Sequence, residues 1–137
     1  MILNRKNVYY RSSRPKRIEA PYRILWYSSG TKRNIGFISA SSYIEHIDID
    51  TPKKLFKKFE NLGIYEWADI MKLVRGDLNI NIMAFLFSGT VLFKNSIYLN
   101  KIRKVYSEHE NKEFNPIAPI KISKDLYLEL YKTGFEL

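Results

Sequence analysis

The segment IMAFLFSGTVLF, Ile82 to Phe93, carries no charge along its whole length. A short run of this kind, rich in aromatic and branched residues, reads as a buried β-strand, so the fold must pack other elements against it. Its apolar heart, IMAFLF, is far too short to cross a bilayer, and no membrane association is expected. Pro21 to Ser28, PYRILWYS, reads the same way, with Ile24 and Trp26 on one face and Leu25 and Tyr27 on the other. SSGTKRN, Ser28 to Asn34, is a polar hairpin loop, and Ile35 to Ile47 follows as another strand. Within it, Ser39, Ala40, Ser41 and Ser42 are small enough to let a second backbone approach or to line a cavity.

Helical signals separate these strands. In DTPKKLFKKFENLG, Thr51 suits the N-cap, Pro52 the first helical position and Gly63 the stop. Leu55, Phe56, Phe59 and Leu62 make one apolar face at a 3.6-residue period, and Lys53, Lys54, Lys57 and Lys58 make the solvated one. A weaker helix follows in YEWADIMKLVRG, another in Leu99 to Tyr106, and a closing helix in Ser123 to Thr133, with Ser123 as N-cap and Gly134 as stop. The 137 residues are enough for one domain with a real core, so a single domain over residues 1–137 is expected, with residues 1–7 as a flexible lead-in.

The charge is unevenly placed. Of the net +9, nearly all lies in residues 1–33, which hold nine basic side chains against Glu19 alone; the remainder carries 14 basic and 13 acidic groups. Such asymmetry is the electrostatic footprint of a polyanion-binding face. The stretch YYRSSRPKR places Tyr9 and Tyr10 beside Arg11, Ser12, Arg14, Lys16 and Arg17, joining rings that stack on bases to cations that neutralise phosphates. Trp26 and Trp67 add indole rings. Because a strand alternates, Trp26 and Tyr27 do not face the same cleft, and Trp26 is the one assigned to it.

Catalytic signatures are missing. His46 and His109 lie in different elements with no nucleophile or third ligand beside them in the sequence, so neither a catalytic residue nor a metal is implied. SSGTK lacks the first glycine and following helix of a phosphate loop. The chain has no cysteine, which removes disulfides and thiolate metal sites and fits a reducing cytoplasm; no apolar leader of a signal peptide is recognisable.

Taken in order, RIEAPYRILWYSSG, IGFISASSYIEHI, a helix ending NLGIYEWADI, IMAFLFSGTVLF and FNPIAPIKISKDLYLELYKTGF resemble the PUA-like superfamily, which includes PUA, ASCH, EVE and YTH domains. More narrowly, the chain is similar to the PUA-like module that accompanies acetyltransferase or PIN-type domains in prokaryotes. The likeness spans residues 8 to 137, and its best pieces are RILWYSSG, YEW, FSGTVLF and ISKDLYLELYKTGF. The Gly-x-Lys-x-x-Glu-x-Arg motif of ASCH domains is absent, which argues against an ASCH-type amidohydrolase. What the resemblance implies is an α+β fold: a curled mixed β-sheet forming a small barrel with helices packed at its openings. It also implies a cleft that takes RNA or a modified base. The expected function is a nucleic-acid-binding module, RNA being its partner, with no cofactor and no chemistry of its own, working beside a catalytic partner protein. An enzyme acting on RNA or a nucleoside, and an accessory domain that docks another protein, are the alternatives.

Overall fold

The computed structural model describes residues 2–3, 6–13, 22–30, 35–62, 65–116 and 119–136. Among the described residues, five strands and four helices follow one another as β1 (Ile2–Leu3), β2 (Asn7–Ser12), β3 (Tyr22–Ser28), β4 (Phe37–Asp50), α1 (Pro52–Phe59), α2 (Trp67–Leu73), β5 (Ile82–Tyr98), α3 (Leu99–Glu110) and α4 (Lys124–Phe135). The sheet runs β1-β5-β4-β3, and β2 pairs with β5 off this path. The α+β class and the sheet-plus-helix plan are as the sequence led one to expect. Among the described residues, however, the sheet is open rather than a closed barrel, its path ending at β1, two residues long, and at β3. The two apolar strands are longer than their hydrophobic runs, because backbone pairing carries β4 to Asp50 and β5 to Tyr98 through polar positions.

The residues pack as two compact units. One comprises Met1–Ile2, Arg23–Ser42 and Thr90–Leu137; the other comprises Leu3–Tyr22 and Tyr43–Gly89. In the second, Val8 and Tyr10 of β2 and Ile82 and Ala84 of β5 pack under Leu55 and Phe59 of α1 and Ile70 of α2, with Val74 just beyond it. β2 lies antiparallel to β5, and the register sets Tyr9 opposite Phe85, Tyr10 opposite Ala84 and Arg11 opposite Met83. The lysine face of α1 turns to solvent, as expected. Lys58 donates to Asp48 of β4 at 2.5 Å, and this bond leads in holding the Asp48 carboxyl below its ordinary range.

In the first unit, α3 and α4 pack together on β4 and β5. Ile102, Val105 and Tyr106 recur at helical spacing, and Leu126 and Leu130 meet them with Ile38 and Ile97. Ser123 caps α4 as the sequence indicated, accepting the Leu126 N–H at 3.1 Å. Gly134 is not the stop. The helix continues to Phe135 and is capped by Glu136 in the left-handed region, φ 58°. Gly134 is inside because a Cβ there would sit 2.3 Å from the Phe93 ring. Ser123→Ala should cost roughly 1 kcal/mol of stability, the usual worth of an N-cap hydroxyl, read as a fall in the urea midpoint with unchanged m-value.

Candidate nucleic-acid interface

In β2, alternation divides the aromatic pair. Tyr10 turns to the helix-covered side and is 2% exposed, whereas Tyr9 turns to the other and is 37% exposed. The Tyr9 ring lies on its cross-strand neighbour Phe85, centroids 5.0 Å apart, and meets the edge of Tyr65 at 6.1 Å. Phe87 continues the row at 6.3 Å from Phe85. The expectation of two adjacent stacking rings is therefore revised: Tyr10 is a core residue, edge-on to Tyr65 at 5.1 Å. Its hydroxyl is enclosed without a hydrogen-bond partner among the described residues. Burial first, then the Glu60 carboxylate and Tyr65, push its pKa up to about 12.

Arg11 points to the same side as Tyr9. Its guanidinium is partly buried, its Nη1 is enclosed with no hydrogen-bond partner among the described residues, and burial lowers its pKa. A guanidinium held with a donor uncommitted favours an incoming anion, since an unmade bond to a buried charged group costs more than a bond in water. Ser12 is exposed at the end of β2, opposite Ile82. Arg14, Lys16 and Arg17 lie outside the described residues. Trp67 opens α2 and packs on Phe56, ring centroids 5.4 Å apart, as part of the rim of the core. A helix turn, not a strand, fixes it there: the Asp69 carboxylate accepts the Glu66 N–H at 2.9 Å.

In the other unit, β3 separates its two faces as alternation requires. Leu25 and Tyr27 pack against the core, Tyr27 edge-on to Phe114 at 5.5 Å. Trp26 is on the opposite face, and its Nε1–H donates to Ser42 Oγ at 2.8 Å. Ser42 Oγ in turn lies 2.7 Å from Thr90 Oγ1. The neighbouring Ser41 serves the core face, donating to the Ile24 carbonyl at 2.9 Å and meeting the Tyr127 hydroxyl at 2.8 Å. The run of small residues in β4 thus lets hydroxyls be bonded on both faces. Sequence reasoning passed over Phe85, Phe87, Tyr65 and Thr90. The alternating Phe-Leu-Phe of β5 was the available signal for two of them, whereas Tyr65 and Thr90 acquire their places only through contacts distant in sequence.

His46 lies 3.3 Å from Asp48, and His109 lies 2.6 Å from Glu129, both at the surface. Among the described residues no group of three or more histidines and carboxylates stands close enough to hold a metal ion. No described helix is long and apolar enough to cross a membrane.

No protein-family model and no curated protein matches the chain. Solved structures do. The crystal structure of ASCH from Zymomonas mobilis aligns with a TM-score of 0.69 at 18% identity, covering 93% of this chain and 81% of that one. A serine-to-alanine mutant of the same protein gives 0.71 at 18% identity, covering 94% and 83%. A tyrosine-to-phenylalanine mutant gives 0.70 at 18%, covering 93% and 84%. The chain therefore has the fold of these ASCH structures.

Proposed function

We propose that this ASCH-fold chain is a nucleic-acid-binding module acting in the cytoplasm on RNA or on a modified base, without turnover of its own, and recruited beside a catalytic partner protein. The observation that carries the reading is the face of β2: Tyr9, part-exposed and seated on Phe85, next to Arg11, whose enclosed Nη1 has no hydrogen-bond partner among the described residues. A ring fixed from behind by other rings gives a base a flat surface at low entropic cost, and a guanidinium one step along the strand is spaced for the adjoining phosphate. The net charge of +9, concentrated toward the start of the chain, draws in a polyanion.

The reading is tested by titrating a short RNA oligonucleotide at several salt concentrations. Arg11→Gln should flatten the slope of log K against log salt by about 0.7, one phosphate contact on a single strand; adding Arg14, Lys16 and Arg17 to the substitution should flatten it by roughly two to three. Tyr9→Ala should weaken binding by about 1–3 kcal/mol with the slope unchanged, since stacking releases no counterions. Parent-like binding by all of these variants at every salt concentration would remove the reading, and turnover of the oligonucleotide would replace it with an enzyme.

A further inference from the structure

The polar chain on the Trp26 face of the first unit has a direction. Trp26 Nε1 is a donor only, so it donates to Ser42 Oγ. Ser42 has one hydroxyl hydrogen, is 1% exposed, and has one other bonded neighbour among the described residues, Thr90 Oγ1 at 2.7 Å. Were Thr90 to donate to Ser42, the buried Ser42 hydrogen would be left without an acceptor, a costly arrangement. Ser42 therefore donates to Thr90, and the Thr90 hydrogen is the one left over. Ser41 shows the contrast: its hydrogen goes to the Ile24 carbonyl, so Tyr127 donates to it and that pair is closed.

Bonds in series polarise one another, so a hydroxyl that accepts is a stronger donor. Thr90 ends the relay in a half-exposed position, and the residue before it, Gly89, has φ 59° within β5 with open space where a Cβ would stand. A positive φ breaks the regular pleat and re-aims the next side chain, a device found beside binding sites. All three members of the relay are uncharged. An uncharged donor next to an indole suits a neutral carbonyl on a flat ring better than a phosphate, which takes charged donors.

From this geometry we infer that Thr90 donates to the carbonyl at position 4 of a pyrimidine lying along Trp26, where uracil carries a carbonyl oxygen and cytosine an amino group, making the Trp26–Ser42–Thr90 relay a determinant of preference for uracil over cytosine. The inference deepens the nucleic-acid reading and rests on it. Trp67→Phe leaves Trp26 as the sole indole of the chain, which has two, and its fluorescence then reports this site alone. In that background, uridine and oligouridylate should perturb Trp26 at lower concentration than cytidine and oligocytidylate. Thr90→Val should weaken the uridine series about five- to tenfold, the worth of one good hydrogen bond, and leave the cytidine series in place, while Thr90→Ser restores the preference. Ser42→Ala, which breaks the relay one step back, should reduce the preference as Thr90→Val does. The inference fails if Thr90→Val affects both series equally or neither, or if inorganic phosphate reproduces the uridine signal in a Thr90-dependent way. Should free uridine report at Trp26 while oligonucleotides show no Arg11-dependent binding, the relay stands as a nucleoside site and the strand-binding reading falls. Arg11-dependent oligonucleotide binding with Trp26 silent overturns the relay alone.

Discussion

Leu126→Ala should lower the free energy of unfolding by about 2–5 kcal/mol, the range for removing a large aliphatic side chain from a closed core. Leu126 is 0% exposed, sits in the first turn of α4, and packs with Ile38, Ile97, Ile102, Val105, Tyr106 and Leu130. Its neighbours belong to two strands and a second helix, so the structure has little freedom to collapse into the vacancy, and both the lost transfer energy and the cavity contribute. Its backbone N–H also donates to the Ser123 cap, and alanine leaves that bond intact, which confines the effect to packing. Urea unfolding followed by circular dichroism measures it. A loss under about 1 kcal/mol would mean that α4 is held by something other than this cluster.

Tyr10→Phe should act in the opposite direction and stabilise the protein by about 1–3 kcal/mol at neutral pH, because the hydroxyl it removes is enclosed without a hydrogen-bond partner among the described residues. The ring, which makes the core contacts with Tyr65 and the helices, stays. The same substitution carries a pH signature. Burial, then Glu60 and Tyr65, raise the Tyr10 pKa from 10.0 to about 12, so the folded state holds this proton more tightly than the unfolded one. The parent therefore keeps this contribution below pH 10 and loses it as pH climbs from 10 toward 12, and the variant has none to lose. The advantage of Tyr10→Phe should widen across that window. A variant less stable than the parent at pH 7 would show that the hydroxyl is bonded in solution.

Much of the architecture was legible because it is encoded locally. Pro52 at the first helical position after Thr51, whose side chain makes no capping bond, and the Ser123 cap with the spacing of Leu126 and Leu130, mark helix starts through groups that act within one turn of themselves. The continuous apolar runs around Trp26 and Phe85 mark strands for an equally local reason. Gly134 shows where local reading fails. Glycine is the common helix stop, yet here it is required by the approach of Phe93, a residue far away in sequence.

The site divides along the same line. Charge asymmetry and the identities Tyr9, Arg11 and Trp26 were open to inspection, since they are properties of composition and order. Alternation along β2 separates Tyr9 from Tyr10, but two consecutive tyrosines in NVYYRS leave the period-two signal weak in the sequence. Which of the two tyrosines faces the helices depends on the register with β5, a non-local pairing of Tyr10 with Ala84 that no short window contains. Most element types, the basic start and the aromatic supply follow from residue order and composition alone, β2 being the exception. Long-range contacts set Tyr9 on Phe85, leave Arg11 Nη1 without a hydrogen-bond partner among the described residues, and join Trp26, Ser42 and Thr90 in one hydrogen-bonded chain, because strand pairing and burial, rather than neighbouring residues, choose the partners of a polar or aromatic group.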